Sequence, residues 1–316
     1  MHLTSFNSIA DLVSPERSWV QFFRGIAPSP HVHTPAGLAF RDDCLYVCDT
    51  GFDVVHRWDL RTGKAAKIGR DGEPRLLEPV DVTVDVTGAV YVADTGLGEV
   101  IAFQTDGTAI RRFKPAGPEG HQPVAVAVDG ERLYVADIRV HQVHVFSTTD
   151  GKKLGSFGGI GGQTGRFHYP MGLAVAGDGN LCVADMMNSR VQVFDTAHNC
   201  VLSFGQPGDR YGDMGKPKRL AVGPDGVVFV GDVDFAHIHL FDKQGRLLML
   251  FGGPDDGPGN TPLPAGIAVA PSLPPALTAL VPPGFGADYF LFVANKIGPK
   301  RLSLYAVDTA WCERSE

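Results

Sequence analysis

The sequence predicts an all-β fold: a six-bladed β-propeller of four-stranded antiparallel blades, with the ring closed by an N-terminal strand that completes the last blade. Three observations predict this fold. The motif Pro-x-x-[Leu/Ile/Val]-[Ala/Thr]-[Val/Phe] occurs six times, and its "repeat prolines" are Pro35, Pro79, Pro123, Pro170, Pro217 and Pro264. A β-rich run follows each proline and ends at a "repeat acid" or its amide equivalent, at Asp49, Asp94, Asp137, Asp185, Asp232 and Asn295. A third run ending in an aromatic residue comes next, and in most units a turn and a fourth run follow. Repeats of about 40–50 residues with four strands each are typical of propellers.

Alignment of the repeats divides one domain, residues 1–316, into six blades. They lie near 27–70, 71–115, 116–160, 161–206, 207–253 and 254–308 plus 18–25. The sixth repeat stops after its third strand, whereas the run Trp19 to Gly25 matches the fourth-strand pattern. We therefore predict that 18–25 completes blade six and removes an open sheet edge. The Pro-rich, apolar insertion 271–287 is predicted to be an exposed loop.

Charge and hydropathy restrict the class of partner. The chain has 28 Lys and Arg against 35 Asp and Glu, a net charge of −7. This balance does not favour duplex nucleic acid or an anionic membrane. No run approaches the roughly 18 apolar residues of a membrane span, and the first residues lack the pattern of a signal peptide. The sequence predicts a cytoplasmic protein without a membrane span, or an exported one if a signal peptide has been removed.

The segment from Phe167 to Asp195, FHYPMGLAVAGDGNLCVADMMNSRVQVFD, resembles an NHL repeat, and the other units resemble weaker copies. The likeness covers roughly residues 19–308. It implies a six-bladed propeller in a family of protein and RNA recognition modules, ligand sensors, and some lyases and hydrolases. A zinc-dependent lyase of this family has a histidine directly after a repeat proline. Here those positions are Ala36, Val80, Val124, Met171, Lys218 and Ala265, so that activity is not carried over.

Three histidines share one position of the repeat, two residues before the proline. They are His33, His121 and His168, in blades one, three and four. Neutral imidazoles that converge near the channel axis would hold a single transition metal, Zn²⁺, Cu²⁺, Fe²⁺ or Ni²⁺, with an open position for water or substrate. The alternative is that each histidine caps its own blade by bonding a neighbouring backbone carbonyl.

Two charged residues occupy the position two residues after the repeat proline. Asp81 and Arg219 lie in opposite blades and are predicted to face each other across the channel, with Lys218 beside Arg219. Such a bipolar mouth suits a zwitterionic or acidic small ligand. In an enzyme, Asp81 would be the base and Arg219 the anion anchor. The alternative is that the two charges neutralise each other.

Further candidates belong to the repeat pattern. Arg190 and Arg301 stand where the NHL family commonly has an arginine, and the resemblance implies that they tie neighbouring blades; they are also candidate ligand-binding residues. The repeat acids end their strands in the manner of turn caps, although a ring of carboxylates is the alternative. Basic residues late in the chain would form an anion- or RNA-binding patch if they shared one face, namely Arg210, Lys216, Lys218, Arg219, Lys296, Lys300 and Arg301.

Three functions follow from these features, and the sequence alone leaves open whether the protein is an enzyme. The first is a recognition propeller that binds a small molecule or a protein partner at the mouth of the channel, favoured because no nucleophile motif such as G-x-S-x-G occurs. The second is a metal-dependent lyase, hydrolase or oxidoreductase with the three-histidine site. RNA binding ranks last.

Overall fold

A computed structural model describes residues 1–13, 31–70, 74–115 and 120–309. It contains six four-stranded antiparallel sheets arranged as blades, which confirms the predicted propeller. Blade one is β2 (Pro35–Arg41), β3 (Cys44–Asp49), β4 (Val54–Asp59) and β5 (Lys64–Ile68). Blade two is β6 (Pro79–Val84), β7 (Val90–Asp94), β8 (Glu99–Phe103) and β9 (Ala109–Phe113). Blade three is β10 (Pro123–Asp129), β11 (Arg132–Asp137), β12 (Gln142–Ser147) and β13 (Lys153–Gly158).

The second half of the chain repeats this arrangement. Blade four is β14 (Pro170–Val175), β15 (Leu181–Asp185), β16 (Arg190–Phe194) and β17 (Cys200–Phe204). Blade five is β18 (Pro217–Val222), β19 (Val228–Asp232), β20 (His237–Phe241) and β21 (Leu247–Gly252). Blade six combines β22 (Pro264–Ala270), β23 (Tyr289–Asn295) and β24 (Leu302–Val307) with β1 (His2–Phe6). Two short helices are α1 (Ile9–Val13) and α2 (Pro275–Thr278). Neither these helices nor any other helix in the described ranges has the length and apolar character to cross a membrane.

An N-terminal strand closes the ring, as predicted, but it is not the predicted segment. β1 pairs antiparallel with β24, and Phe6 lies opposite Leu302. Phe6 is buried and packs against Trp58 of blade one and Phe292 of blade six. The fourth-strand position that the sequence analysis assigns to 18–25 is occupied by β1; residues 18–25 themselves lie outside the described part of the chain.

The insertion 271–287 also differs from its prediction. Leu273 and Leu277 are buried, and Val281 and Phe285 pack against the hydrophobic cluster between blades six and one. The insertion is therefore not simply an exposed loop, because its apolar side chains extend the core of that blade interface. The burial of these side chains explains why the insertion, although it lies outside the strands, is rich in apolar residues.

The hydrophobic core is divided among the blade interfaces. Six clusters of buried side chains form between adjacent blades, for example around Trp58 between blades six and one and around Ile101 between blades one and two. Each blade thus buries its two faces only against its neighbours, and the stability of every blade depends on closure of the ring.

We predict that Phe6→Ala destabilises the protein by about 3–5 kcal/mol, because it empties a buried aromatic site at the closure. The free energy of unfolding in urea measures this loss. Val86→Ala, at a side chain that is 75% exposed, is the control and is expected to change stability by no more than about 0.5 kcal/mol. Equal small effects of the two substitutions would contradict the assignment of β1 as the closing strand.

Candidate functional site

The repeat acids define one face of the propeller. The carboxylate of Asp49 accepts backbone N–H bonds from His33 and Thr34, in the loop that precedes β2, and from Gly51 after β3. Asp232 accepts equivalent bonds from the loops around β18 and β19. The loop before each innermost strand, here called the leading loop, therefore lies beside the loop between strands two and three. We call their shared side the mouth face. These bonds confirm the predicted turn-cap role of the acids.

A backbone irregularity after each repeat proline shapes the channel. In blades two to six the pairing register of the innermost strand shifts between the proline and the residue two positions later. Such a bulge breaks the regular ladder, so the carbonyl of the residue that follows the proline is free for another donor. Four of these carbonyls point at one side chain in the channel, that of Arg219.

Arg219 binds to four blades other than its own. Its Nε donates to the carbonyl of Ala265 at 3.2 Å, its Nη1 to Val124 at 2.9 Å and to Met171, and its Nη2 to Val80 at 2.8 Å. The side chain is only 5% exposed. A buried guanidinium is tolerated when its donors are satisfied, and here blades two, three, four and six supply the acceptors.

The ring is too narrow for a second large side chain at most equivalent positions. A Cβ atom on Gly37 would overlap the carboxylate of Asp81, and one on Gly266 would overlap the carbonyl of Ala36. The innermost strands therefore require glycine at these positions for lack of space. Beyond Arg219, the six strands enclose a channel cavity of about 230 Å³.

Asp81 and Arg219 both lie in the channel, as the sequence predicts, but each has backbone partners. Asp81 is buried, and its Oδ2 accepts the N–H of Val126 in blade three at 3.0 Å. Burial raises the pKa of Asp81, and the charge of Arg219 offsets this only in part. The arrangement is a buried polar layer that joins blades and not the open bipolar mouth of the prediction.

Lys218 occupies the bulge position next to Arg219. Among the described residues it has no hydrogen-bond or ion-pair partner, whereas the neighbouring Lys216 pairs with Asp234 at 2.9 Å. Partial burial, together with the positive charges of Arg219 and Lys296, lowers the pKa of Lys218 to about 8. Lys296 is exposed and follows the amide residue Asn295 on the mouth face. The mouth face thus carries a partly buried ammonium group that has no counter-ion within the described ranges.

The two predicted arginines contact protein groups. Arg190 donates from Nε to Asp185 at 2.8 Å and from Nη2 to the carbonyls of Gln163 and Arg166. Arg301 donates from Nη1 to the carbonyl of Lys296 at 2.6 Å. Arg190 ties the leading loop of blade four to the repeat acid of the same blade, so these bonds differ from the tie between neighbouring blades that the NHL resemblance implies.

The structure does not bring His33, His121 and His168 together. The ring of His33 lies beside Thr34 and Phe52, and the ring of His168 lies beside His141. His121 instead turns to its own repeat acid, with 2.8 Å between its Nδ1 and Oδ2 of Asp137. The predicted three-histidine centre is therefore replaced by three separate environments, because each leading loop folds against its own blade.

Other histidines, missed as a group in the sequence, lie against the repeat acids. His56, His144 and His239 each stand seven residues after the acid, on the third strand. Their Nε2 atoms lie 3.2, 3.4 and 3.8 Å from an acid oxygen. Burial by itself would raise the pKa of Asp137. The interactions with His144 and His121 and the bonds from backbone N–H groups outweigh burial and lower this pKa to about 2. The spacing of seven residues between each acid and its histidine is the sequence signal that identifies these pairs.

Known proteins share the fold. The NHL repeat family model matches residues 167–194, which include β14, β15 and β16. A streptogramin B lyase superposes with a TM-score of 0.61 at 12% identity, over 88% of this chain and 84% of that chain. A gluconolactonase from Xanthomonas campestris gives 0.61 at 14% identity, over 87% of each chain. A chain of the nidogen/laminin complex gives 0.53 at 20% identity, over 68% of this chain and 79% of that chain. The chain thus contains an NHL repeat within a six-bladed propeller, and the structural matches show the fold alone.

We predict that Arg219→Lys lowers the free energy of unfolding by about 3–5 kcal/mol, because a lysine cannot span four carbonyls and leaves buried acceptors unpaired. Urea unfolding measures the effect. Arg132→Lys is the matched control, since Arg132 is exposed and donates to one carbonyl, that of Thr196; little change is expected there. A similarly small loss for Arg219→Lys would refute its joining role.

Proposed function

We propose that the protein is a recognition propeller whose mouth face binds an acidic small molecule, or an acidic side chain of a protein partner, with Lys218 as the anchor. The observation that carries the proposal is the partly buried ammonium of Lys218, which has no counter-ion among the described residues. A cation removed from water without a partner is unfavourable. An incoming carboxylate or phosphate would supply a charge-assisted hydrogen bond and offset that penalty.

The surroundings of Lys218 support an anion. It is the one charged residue among the six positions that directly follow a repeat proline; the others are Ala36, Val80, Val124, Met171 and Ala265. The positive charges of Arg219 and Lys296 lie close enough to lower the pKa of Lys218. An anion at this place would interact favourably with all three cations, and the uncharged equivalents favour a ligand that also has apolar atoms.

The plug formed by Arg219 favours recognition at the surface over passage through the channel. Its bonds to four blades close the channel just below Lys218. Lys216 and Arg301 add little to a nucleic-acid patch, because Lys216 is paired with Asp234 and Arg301 donates to a carbonyl. A small anion or a single acidic side chain is the occupant that fits one anchoring lysine.

The metal-dependent lyase, hydrolase or oxidoreductase is the second candidate. Its support is the similarity in fold to a streptogramin B lyase and a gluconolactonase. It is weakened by the separation of His33, His121 and His168 and by the burial of Asp81 and Arg219, because Oδ2 of Asp81 and the guanidinium of Arg219 are bonded to backbone groups. Arg219 in particular is engaged by four carbonyls and is a poor anion anchor.

We expect Lys218→Met to weaken anion binding by about 10- to 100-fold, the value of one charge-assisted hydrogen bond. Isothermal titration of a panel of phosphate and small mono- and dicarboxylates measures it. Lys243→Met is the matched control, because Lys243 is exposed in the same blade but lies in the turn between strands three and four, away from the mouth face. If no anion binds the wild type more tightly than Lys218→Met, the proposal fails.

The lowered pKa of Lys218 predicts a pH dependence of stability. The pKa is about 8 in the folded chain against an ordinary value of 10.5, so between these values the unfolded chain binds more protons. The free energy of unfolding of the wild type should therefore rise from pH 8 to 10.5 relative to that of Lys218→Met. Denaturant unfolding of both proteins across this range tests it, and parallel curves would show that the ammonium is not destabilised by its surroundings.

A further inference from the structure

One cluster in blade three has the chemistry of a metal site. It joins His121 of the leading loop, Asp137 at the end of β11 and His144 of β12. Oδ2 of Asp137 lies 2.8 Å from Nδ1 of His121 and 3.4 Å from Nε2 of His144. One ligand atom from each residue lies within 4.8 Å of the other two, and no other trio of His, Cys, Asp or Glu side chains in the described ranges meets that limit.

The histidines of this cluster have unused donors and acceptors. His144 is 2% exposed, and neither of its ring nitrogens has a hydrogen-bond partner among the described residues. Nε2 of His121 is also buried and has no partner in the part of the chain that the structure describes. An unsatisfied buried polar atom costs about 1–3 kcal/mol. Nε2 of His144 lies 3.4 Å from the carboxylate of Asp137, and a metal ion bound by both groups would satisfy this nitrogen.

The other blades do not complete such a set. Blade one has the equivalent pair of Asp49 and His56, but its third histidine, His33, hydrogen-bonds to Thr34. Blade five has His239 and a glycine, Gly215, in place of the leading-loop histidine. In blade four, a glutamine stands where blade three has His144. The trio is therefore a property of blade three and not of the repeat.

We propose that His121, Asp137 and His144 bind one Zn²⁺ ion, which fastens the leading loop of blade three to its second and third strands. Two imidazole nitrogens and one carboxylate oxygen are a ligand set that zinc accepts. Ligand bonds of about 2.0–2.1 Å in a tetrahedron place neighbouring ligand atoms about 3.4 Å apart. Oδ2 of Asp137 and Nε2 of His144 have this separation, and the ring of His121, at 2.8 Å, would move outward slightly to admit the ion. A water molecule completes the coordination.

The role of this ion is structural. His144 and Asp137 are almost wholly buried, and the side chain of His121 is 7% exposed. A substrate has little access to such a site, whereas an ion that links a loop to two strands stabilises the folded chain by mass action. The site is also separate from Lys218, so loss of zinc and loss of anion binding are independent results.

The test uses the full chain purified without a histidine tag and stripped with a chelator. We expect elemental analysis after incubation with Zn²⁺ and desalting to find about one equivalent per chain, with a higher midpoint of thermal unfolding. Co²⁺ should bind in its place and give the visible absorption of a tetrahedral centre. Failure of the wild type to take up either ion would overturn the proposal.

Matched variants locate the ion. His144→Gln introduces the residue that blade four has at this position, Gln192, and is expected to weaken Zn²⁺ binding at least tenfold. His239→Gln makes the same change in blade five and should retain the full equivalent. Unchanged zinc in His144→Gln, or equal loss in His239→Gln, would overturn the assignment. If His144→Gln does not fold, His121→Gln provides the same comparison from the leading loop.

Discussion

Backbone carbonyls from four blades converge on the guanidinium of Arg219 in the centre of the ring. Each carbonyl is free because a bulge follows the repeat proline, so the same irregularity in successive blades builds a circle of acceptors. One side chain of suitable length and planarity satisfies this circle. The narrowness of the ring then explains the small residues at equivalent positions, such as Gly37 and Gly266, and it leaves Lys218 at the level just above the plug.

The repeat acids hold the loops of the mouth face in place. A carboxylate such as Asp49 or Asp232 holds a leading loop and the loop between strands two and three through backbone N–H groups. The loops are thus fixed by bonds that do not use their side chains. This leaves the side chains of these loops free to differ from one blade to the next.

The blade pattern was predictable because hydrophobic alternation, turn residues and a fixed period all report on strands. The positions of side chains in the loops were not, because their direction depends on local backbone geometry: His33 turns to Thr34, whereas His121 at the equivalent position turns to Asp137. The sequence predicted that Arg219 lies in the channel. It did not predict the carbonyls that Arg219 binds, because backbone acceptors freed by a bulge cannot be identified from residue type. The pairing of His144 with Asp137 was predictable, because the number of residues between them fixes the register of the two strands.

Closure of the ring by β1 has a kinetic consequence. His2 lies opposite Tyr305, at the far end of the described chain, so blade six cannot form until the other five blades have been synthesised. Contacts that distant in sequence form slowly, and an unpaired edge of β24 would be exposed while they do. The first strand of the chain is therefore the last to find its place, and the propeller acquires its full cooperativity only in that final step.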